Sequence, residues 1–154
     1  MVRRRSTVRF RKGAPISTSD PARGRRRVVT FQRYLLNPPM KAAVWLGLVP
    51  GHVLVEPTGR KTGKRRRTVV GCHVDGTTVW VVAEQGRHAG YVRNLAANPD
   101  VRLRLHRRWR HAVGSVADTE DPDARLDADF DPKHAALMRR YGTDLLTVRF
   151  DLQR

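Results

Sequence analysis

The chain contains a basic segment bracketed by two glycines, and it reads Thr58-Gly59-Arg60-Lys61-Thr62-Gly63-Lys64-Arg65-Arg66-Arg67. Apolar runs lead into it from Val53 and out of it from Val69, so the segment is predicted to connect two strands. Glycines let a backbone turn tightly and approach a ligand closely, and the N–H groups of such turns can form a concavity for an anion. The sequence therefore predicts an anion-binding loop, with a merely solvated basic turn as the alternative.

This loop differs from the phosphate-binding P-loop. That motif places four residues between its glycines and continues from a strand into a helix. Here three residues separate Gly59 from Gly63, and a second apolar run follows. The anion is therefore not assigned from this loop alone.

A second segment with binding chemistry is Ala83-Glu84-Gln85-Gly86 at the end of a predicted strand, followed by a predicted helix over about 89–97. A glycine-rich strand end that runs into a helix offers free N–H groups and a favourable dipole for an anion. Tyr91 and Asn94 are three residues apart and share one face of that helix. The alternative is that Tyr91 only packs on the sheet beneath.

Strands with hairpin connections account for most of the remaining chain. The Asp75-Gly76 pair lies between two apolar runs, over 69–74 and 79–83, which predicts two strands joined as a hairpin by a tight turn. Apolar residues alternate with basic ones over 101–105, and a turn at Arg107-Arg108 is predicted to return the chain over 109–117. A last alternating segment covers 146–152.

Helices are predicted on either side of these strands. Asn37 is predicted to cap the first, Pro38 to begin it, and a stripe of apolar residues extends it to Leu48 before Pro50-Gly51. Another is predicted to begin at Asp131-Pro132, with Leu137, Met138 and Tyr141 on one side, and to end at Gly142 as a C′ glycine. The acidic stretch 120–131 is predicted to be a solvated loop with a short helical turn.

About six strands and three helices joined by hairpins predict a mainly β fold with flanking helices (α+β), built on an antiparallel sheet closed into a small barrel. Residues 1–28 hold ten Arg or Lys, one acid and few apolar residues, so they are predicted to be a disordered basic arm. Residues 29–154 are predicted to form a single barrel domain.

Composition narrows the function classes. The formal charge is +17 with a pI near 11.6, which favours nucleic acid, anionic lipid or a phosphorylated small molecule as a partner. Cys72 alone excludes an internal disulfide, and the scattered histidines have no metal-binding spacing. No apolar run approaches the roughly 20 residues needed to cross a bilayer. A cytoplasmic protein without a metal site is the expectation.

Three segments in order, VLVEPTGRKTGKRRR, HVDGTTVWVVAEQG and YVRNLAANPDVRLRL, resemble the deazaflavin-dependent nitroreductase and quinone reductase family. The resemblance covers about 52–118. It implies a six-stranded split β-barrel of the FMN-binding type, usually dimeric, that binds the deazaflavin coenzyme F-420. That coenzyme carries a phosphodiester and a glutamate tail, for which a basic groove is chemically suitable.

The resemblance also implies the cofactor-binding residues. They are Val55, Glu56, Arg60, Lys61, Thr62, Gly63, Lys64, Arg65 and Arg66 in and before the basic loop, Ala83, Glu84 and Gln85 at the strand end, and Tyr91 and Asn94 on the helix. Tyr91 takes the place of a tryptophan, and Glu84 stands where many members have serine. An acid there would repel an anionic coenzyme unless it points elsewhere or pairs with Arg87 or Arg93.

The expected function is an oxidoreductase that passes hydride from the reduced deazaflavin to a quinone, nitro or enone-type acceptor. No catalytic residue is assigned, and Tyr141 is predicted to line the acceptor pocket. The alternatives are an FMN- or haem-binding protein on the same barrel, and a basic nucleic-acid-binding module. The basic arm would equally suit contact with an anionic membrane.

Overall fold

The computed structural model of the protein describes residues 38–154. The predicted basic arm, residues 29–37 of the predicted domain and the predicted cap Asn37 lie outside the described residues. The strands are β1 His52–Pro57, β2 Thr68–Gly71, β3 His73–Asp75, β4 Thr78–Ala83, β5 Asp100–Leu105, β6 Arg108–Val116 and β7 Leu146–Leu152. The helices are α1 Pro38–Trp45, α2 Gly90–Ala97, α3 Pro122–Asp129 and α4 Pro132–Tyr141, with a 3-10 turn at Gly86–His88.

The strands form one antiparallel sheet in the order β2-β1-β5-β6-β7-β4-β3. Strands β2 and β3 lie at its two edges, yet only Cys72 separates them in the chain, so the sheet curls into a nearly closed barrel. The N–H of Cys72 donates to the carbonyl of Gly51 at 2.8 Å at this crossing. The predicted antiparallel barrel is confirmed, but the predicted single strand over 69–74 is two strands, which makes seven rather than six.

The interior of the barrel is apolar because alternate residues of every long strand point into it. Val55, Leu103 and Phe150 are fully buried there. Each such side chain contributes about 1.5–3 kcal/mol relative to an exposed one. Helix α2 packs against this core through Leu95, whose Cδ2 would lie 2.5 Å from a Cβ at Gly114. The absence of a side chain at Gly114 therefore lets α2 approach the sheet.

Both predicted hairpins form, with one shift of the turn. Asp75 pairs with Thr78 around a two-residue turn in which Gly76 has φ +58. In the other hairpin, the turn is formed by His106 and Arg107, one residue earlier than predicted. Both have positive φ, which two-residue turns of this type require although non-glycine residues rarely adopt it.

The extent of the helices differs from the sequence-based expectation in two places. The acidic stretch predicted as a loop forms helix α3, in which Asp121 caps the Asp123 N–H at 3.0 Å and Leu126 is fully buried. Helix α1 ends at Trp45 rather than continuing to Leu48, which is 70% exposed. No described helix has the length and apolar character needed to cross a bilayer.

Helix α4 begins at Pro132, as predicted, and Asp131 caps it, since its carboxylate accepts the N–H groups of Lys133 and His134. Gly142 ends this helix, but its φ of −65 is not the left-handed conformation predicted for it. A Cβ at Gly142 would lie 2.5 Å from the Met138 carbonyl oxygen. Close approach of two backbone segments, rather than backbone handedness, explains the glycine.

Candidate functional site

A cavity of about 330 Å³ opens beside the barrel between the end of β4, strand β2, helix α2 and helix α4. This volume is within the usual range of about 300–1,000 Å³ for small-molecule sites. The structure brings six of the predicted cofactor-binding residues to its wall, namely Arg66, Ala83, Glu84, Gln85, Tyr91 and Asn94. Residues far apart in the sequence therefore meet at one site.

The basic loop is held in a closed turn by its own backbone. Gly59 donates its N–H to the carbonyl of Lys64, and Gly63 donates to that of Gly59, each at 2.8 Å. Gly63 has φ +66, and a Cβ at Gly59 would lie 2.9 Å from the Lys64 carbonyl oxygen. Thr62 Oγ1 accepts the Lys64 N–H at 3.3 Å. The turn thus presents Lys61 and Lys64 as exposed cations beside the cavity rather than in its wall.

Glu56, at the end of β1, binds the cations on the other face of this loop. Its carboxylate accepts from Arg67 at 2.7 Å, from Arg65 at 3.2 Å and from Arg102 of β5 at 2.9 Å. Burial alone would raise the pKa of Glu56, but the hydrogen bonds from these arginines outweigh it and lower the pKa from 4.5 to about 2. Glu56 and Arg65, both predicted to bind the cofactor, are thus partners of each other outside the cavity wall.

Arg66 lies between these two arginines and faces the opposite way. Extended backbone sends successive side chains to opposite sides, so Arg66 lines the cavity while its neighbours contact Glu56. No described carboxylate pairs with Arg66, Lys61 or Lys64. These three cations are therefore available for an anionic ligand.

Asn94 connects the basic loop to helix α2. Its side-chain oxygen accepts both the backbone N–H and the guanidinium of Arg60, at 3.2 Å each. Asn94 is 7% exposed and lines the cavity. Arg60 is thus a link between the two walls, while Val55 is fully buried in the core and Tyr141 of α4 is partly buried outside the cavity wall.

Glu84 lines the cavity without a cation beside its carboxyl group. Neither predicted partner contacts it, because Arg87 pairs with Asp118 and Arg93 contacts His88. No ion pair to Glu84 forms among residues 38–154. Burial raises the pKa of Glu84 above its ordinary 4.5.

Tyr91 places a polar group in the same wall. Its ring is buried, and its hydroxyl makes no hydrogen bond within residues 38–154. Burial, followed by the charge of Glu84, raises the pKa of Tyr91, so the hydroxyl keeps its proton. A buried hydroxyl without a partner is unusual in proteins.

His134 and His52 also line the cavity, although no spacing in the sequence distinguishes them from the other scattered histidines. The His134 ring stacks on Phe130 at 5.5 Å and meets His52 edge-on at 5.7 Å. Burial, with a further effect of His52, lowers the pKa of His134. A Cβ at Gly71 would lie 2.4 Å from this ring, so the glycine makes room for His134.

The model of the family described as F420H(2)-dependent quinone reductase matches residues 32–153. The chain belongs to this family. The resemblance inferred from three short motifs is therefore confirmed. The family name implies coenzyme F-420 as the cofactor.

Curated relatives come from mycobacteria. A protein of Mycobacterium tuberculosis named F420H(2)-dependent quinone reductase is 35% identical over 81 residues, which are 50% of this chain and 54% of that protein. One of Mycobacterium bovis, named a putative enzyme of the same kind, matches with the same figures. The match thus spans about half the length of these relatives.

Solved structures agree on the fold. An F420-H2 dependent reductase, FDR-A, has a TM-score of 0.52 at 20% identity and covers 68% of this chain and 95% of its own. The heme storage protein HutZ of Vibrio cholerae has a TM-score of 0.51 at 13% identity, covering 77% and 91%. Likeness at these identities shows the barrel fold alone.

The described residues fit a deazaflavin with an anionic tail. The cavity has an apolar wall, to which Val69, Val82 and Met138 contribute, and a hydroxyl at Tyr91 that lacks a protein partner. Arg66 lies in the wall of the cavity, and neither Arg66 nor the exposed Lys61 and Lys64 of the same loop has a described carboxylate partner. An apolar surface for a ring system next to free cations is the donor set that such a molecule needs.

Proposed function

We propose that this chain is an oxidoreductase that uses reduced coenzyme F-420 to deliver a hydride to a quinone. Family membership supports the coenzyme, and one observation carries the proposal to this chain. Arg66 lies in the wall of a cavity to which Val69, Val82 and Met138 contribute apolar surface, and no described carboxylate pairs with it. Such a cation suits a ligand that is apolar at one end and anionic at the other.

In this proposal, different residues bind different parts of the coenzyme. Arg66, Lys61 and Lys64 bind the phosphodiester and glutamate tail through charge-assisted hydrogen bonds. The Arg60–Asn94 contact holds the loop against helix α2, and the apolar wall keeps water from the ring. The bound coenzyme supplies the hydride, so the protein's contribution is to bind, orient and exclude water.

The acceptor is proposed to be a quinone, with nitro and enone-type compounds as the other candidates. The test is anaerobic mixing of the purified chain with reduced coenzyme and a soluble naphthoquinone, a nitroimidazole or a cyclic enone. Enzyme-dependent oxidation of the coenzyme, fastest with the quinone, is expected. If the oxidation rate equals that without protein for all three acceptors, the proposal is wrong.

FMN and haem are the competing ligands on this barrel. A protein that retains FMN would be yellow on purification, and one that retains haem would show a Soret band. We expect neither, and a stoichiometric amount of either would replace the deazaflavin in this proposal. The predicted homodimer and the predicted membrane contact through the basic arm are also proposals, to be tested by light scattering and by flotation with anionic vesicles.

A further inference from the structure

Glu84 is fixed at the cavity by its backbone. It follows directly after strand β4, and its carbonyl accepts the N–H of Thr143 at 2.9 Å and that of Asp144 at 3.3 Å. These bonds tie the strand end to the segment after helix α4. The side chain is therefore in the wall of the cavity because the main chain is held there, and not because a cation attracts it.

A carboxyl group in such a position stays protonated at a pH at which a carboxyl group paired with a cation would be ionised. Transferring a carboxylate out of water without a cation or hydrogen-bond donors is unfavourable, so the group keeps its proton instead. Both nearby arginines that the sequence suggested are engaged elsewhere. A neutral Glu84 also removes the repulsion that a carboxylate would exert on an anionic coenzyme.

We propose that Glu84 acts as the proton donor of the reaction, with the Tyr91 hydroxyl as a second hydrogen-bond donor to the acceptor oxygen. This inference rests on the proposed function. When a quinone accepts a hydride, an electron pair and a negative charge are left on one of its carbonyl oxygens. Glu84 transfers its proton to that oxygen, which yields the hydroquinone and leaves a carboxylate, and the carboxylate regains a proton from solvent.

The surroundings of Glu84 support this assignment over the other titratable groups at the cavity. Those groups are Tyr91 from α2, His134 from α4, His52 from β1 and Arg66 from the basic loop. His134 is a poor proton donor because burial favours its uncharged form. Tyr91 holds its proton too tightly to release it near neutral pH, because burial, followed by the charge of Glu84, raises its pKa. Glu84 is only partly buried, so solvent can return its proton.

The first test is a direct titration of Glu84 in the protein without coenzyme. The chain has only three glutamates, Glu56, Glu84 and Glu120, so selective ¹³C labelling of glutamate carboxyl carbons gives three NMR signals. The Glu84 signal is the one missing from E84Q and present in the matched control E120Q, which changes a partly exposed glutamate that pairs with Arg125 and does not line the cavity. We expect it to titrate above 4.5, and titration at or below that value would overturn the proposal.

The second test separates this step from coenzyme binding. E84Q should bind oxidised coenzyme at least as tightly as wild type, yet reduce the quinone about 100-fold more slowly in kcat. Wild-type kcat should fall as pH rises through the Glu84 titration, and E84Q should lack that fall. Wild-type kcat and pH profile in E84Q would overturn the proton step alone. Absence of coenzyme binding in wild type would overturn the proposed function, and the proton step with it.

Discussion

The backbone N–H and the guanidinium of Arg60 both donate to the side-chain oxygen of Asn94, at 3.2 Å each. Arg60 belongs to the basic loop and Asn94 to helix α2, so one oxygen atom joins two walls of the cavity. The two residues are 34 positions apart in the sequence. This contact fixes the distance between the cations of the loop and the apolar wall.

Replacing Asn94 by leucine should therefore weaken coenzyme binding although the loop keeps its charges. Loss of two hydrogen bonds to one oxygen, one of them from a charged donor, corresponds to about tenfold or more in affinity. Fluorescence titration measures the affinity, and amide hydrogen exchange measures loosening of the loop. N94D is the control because it keeps an acceptor oxygen for Arg60, and a loss of affinity in N94D equal to that in N94L would contradict the role given to this bond.

Arg66 and Arg65 are adjacent in sequence and opposite in role. R66A should weaken coenzyme binding about tenfold and should make the remaining affinity less dependent on salt, because a cation that faces the ligand is gone. R65A is the matched control, since Arg65 contacts Glu56 instead. R65A should change the affinity for the coenzyme by less than about twofold relative to wild type. Equal losses in the two variants would show that only total charge matters.

Glu56 should make the fold sensitive to acid. Its folded pKa is depressed, so its stabilising contribution is present above 4.5 and is lost as pH falls through about 2. The shift corresponds to at most roughly 3 kcal/mol, and less in practice because solvent screens Arg65 and Arg67, whose side chains are 55% and 51% exposed.

Urea unfolding of wild type and E56Q at several pH values measures this contribution. E56Q should be less stable at neutral pH, and the difference between the two proteins should shrink toward pH 2. E120Q is the control, because Glu120 also pairs with an arginine, Arg125, but its side chain is 39% exposed. A difference in unfolding free energy that is independent of pH would contradict the assigned cause.

The Tyr91 hydroxyl should support the reaction with the ligand but lower the stability of the ligand-free protein. Its hydroxyl is buried without a partner within the described residues, and such a group costs about 1–3 kcal/mol. Y91F should therefore raise the free energy of unfolding of the ligand-free protein by about 1 kcal/mol and lower the quinone reduction rate. Destabilisation on removing the hydroxyl would show that it has a partner in solution and is not reserved for a ligand.

The structural features that depend only on neighbouring residues were predicted from the sequence. The Asp75 hairpin, the helix start at Asp131-Pro132 and the alternation over Val101–Leu105 each depend on a few neighbouring residues, and all three appear in the structure. The division of one strand at Cys72 was not predictable, because it depends on both edges of the sheet. Helix α3 was missed because Leu126 alone marks its buried face.

Only those site residues that belong to the sequence motifs could be predicted. The motifs selected Arg66, Tyr91 and Asn94, which do line the cavity. They could not separate Arg66 from Arg65, since that division follows from where Glu56 lies after the loop folds back. His134 enters the site because helix α4 packs beside strand β2, and the sequence pattern of the helix does not show where it packs.

The most direct test of the central claim is a fluorescence titration of oxidised coenzyme F-420 with the whole chain. We expect saturable binding of one coenzyme per chain in the micromolar range or tighter, lost progressively with salt and unaffected by an excess of FMN. No change in coenzyme fluorescence at micromolar protein and moderate salt, or complete displacement of the coenzyme by FMN, would contradict the account.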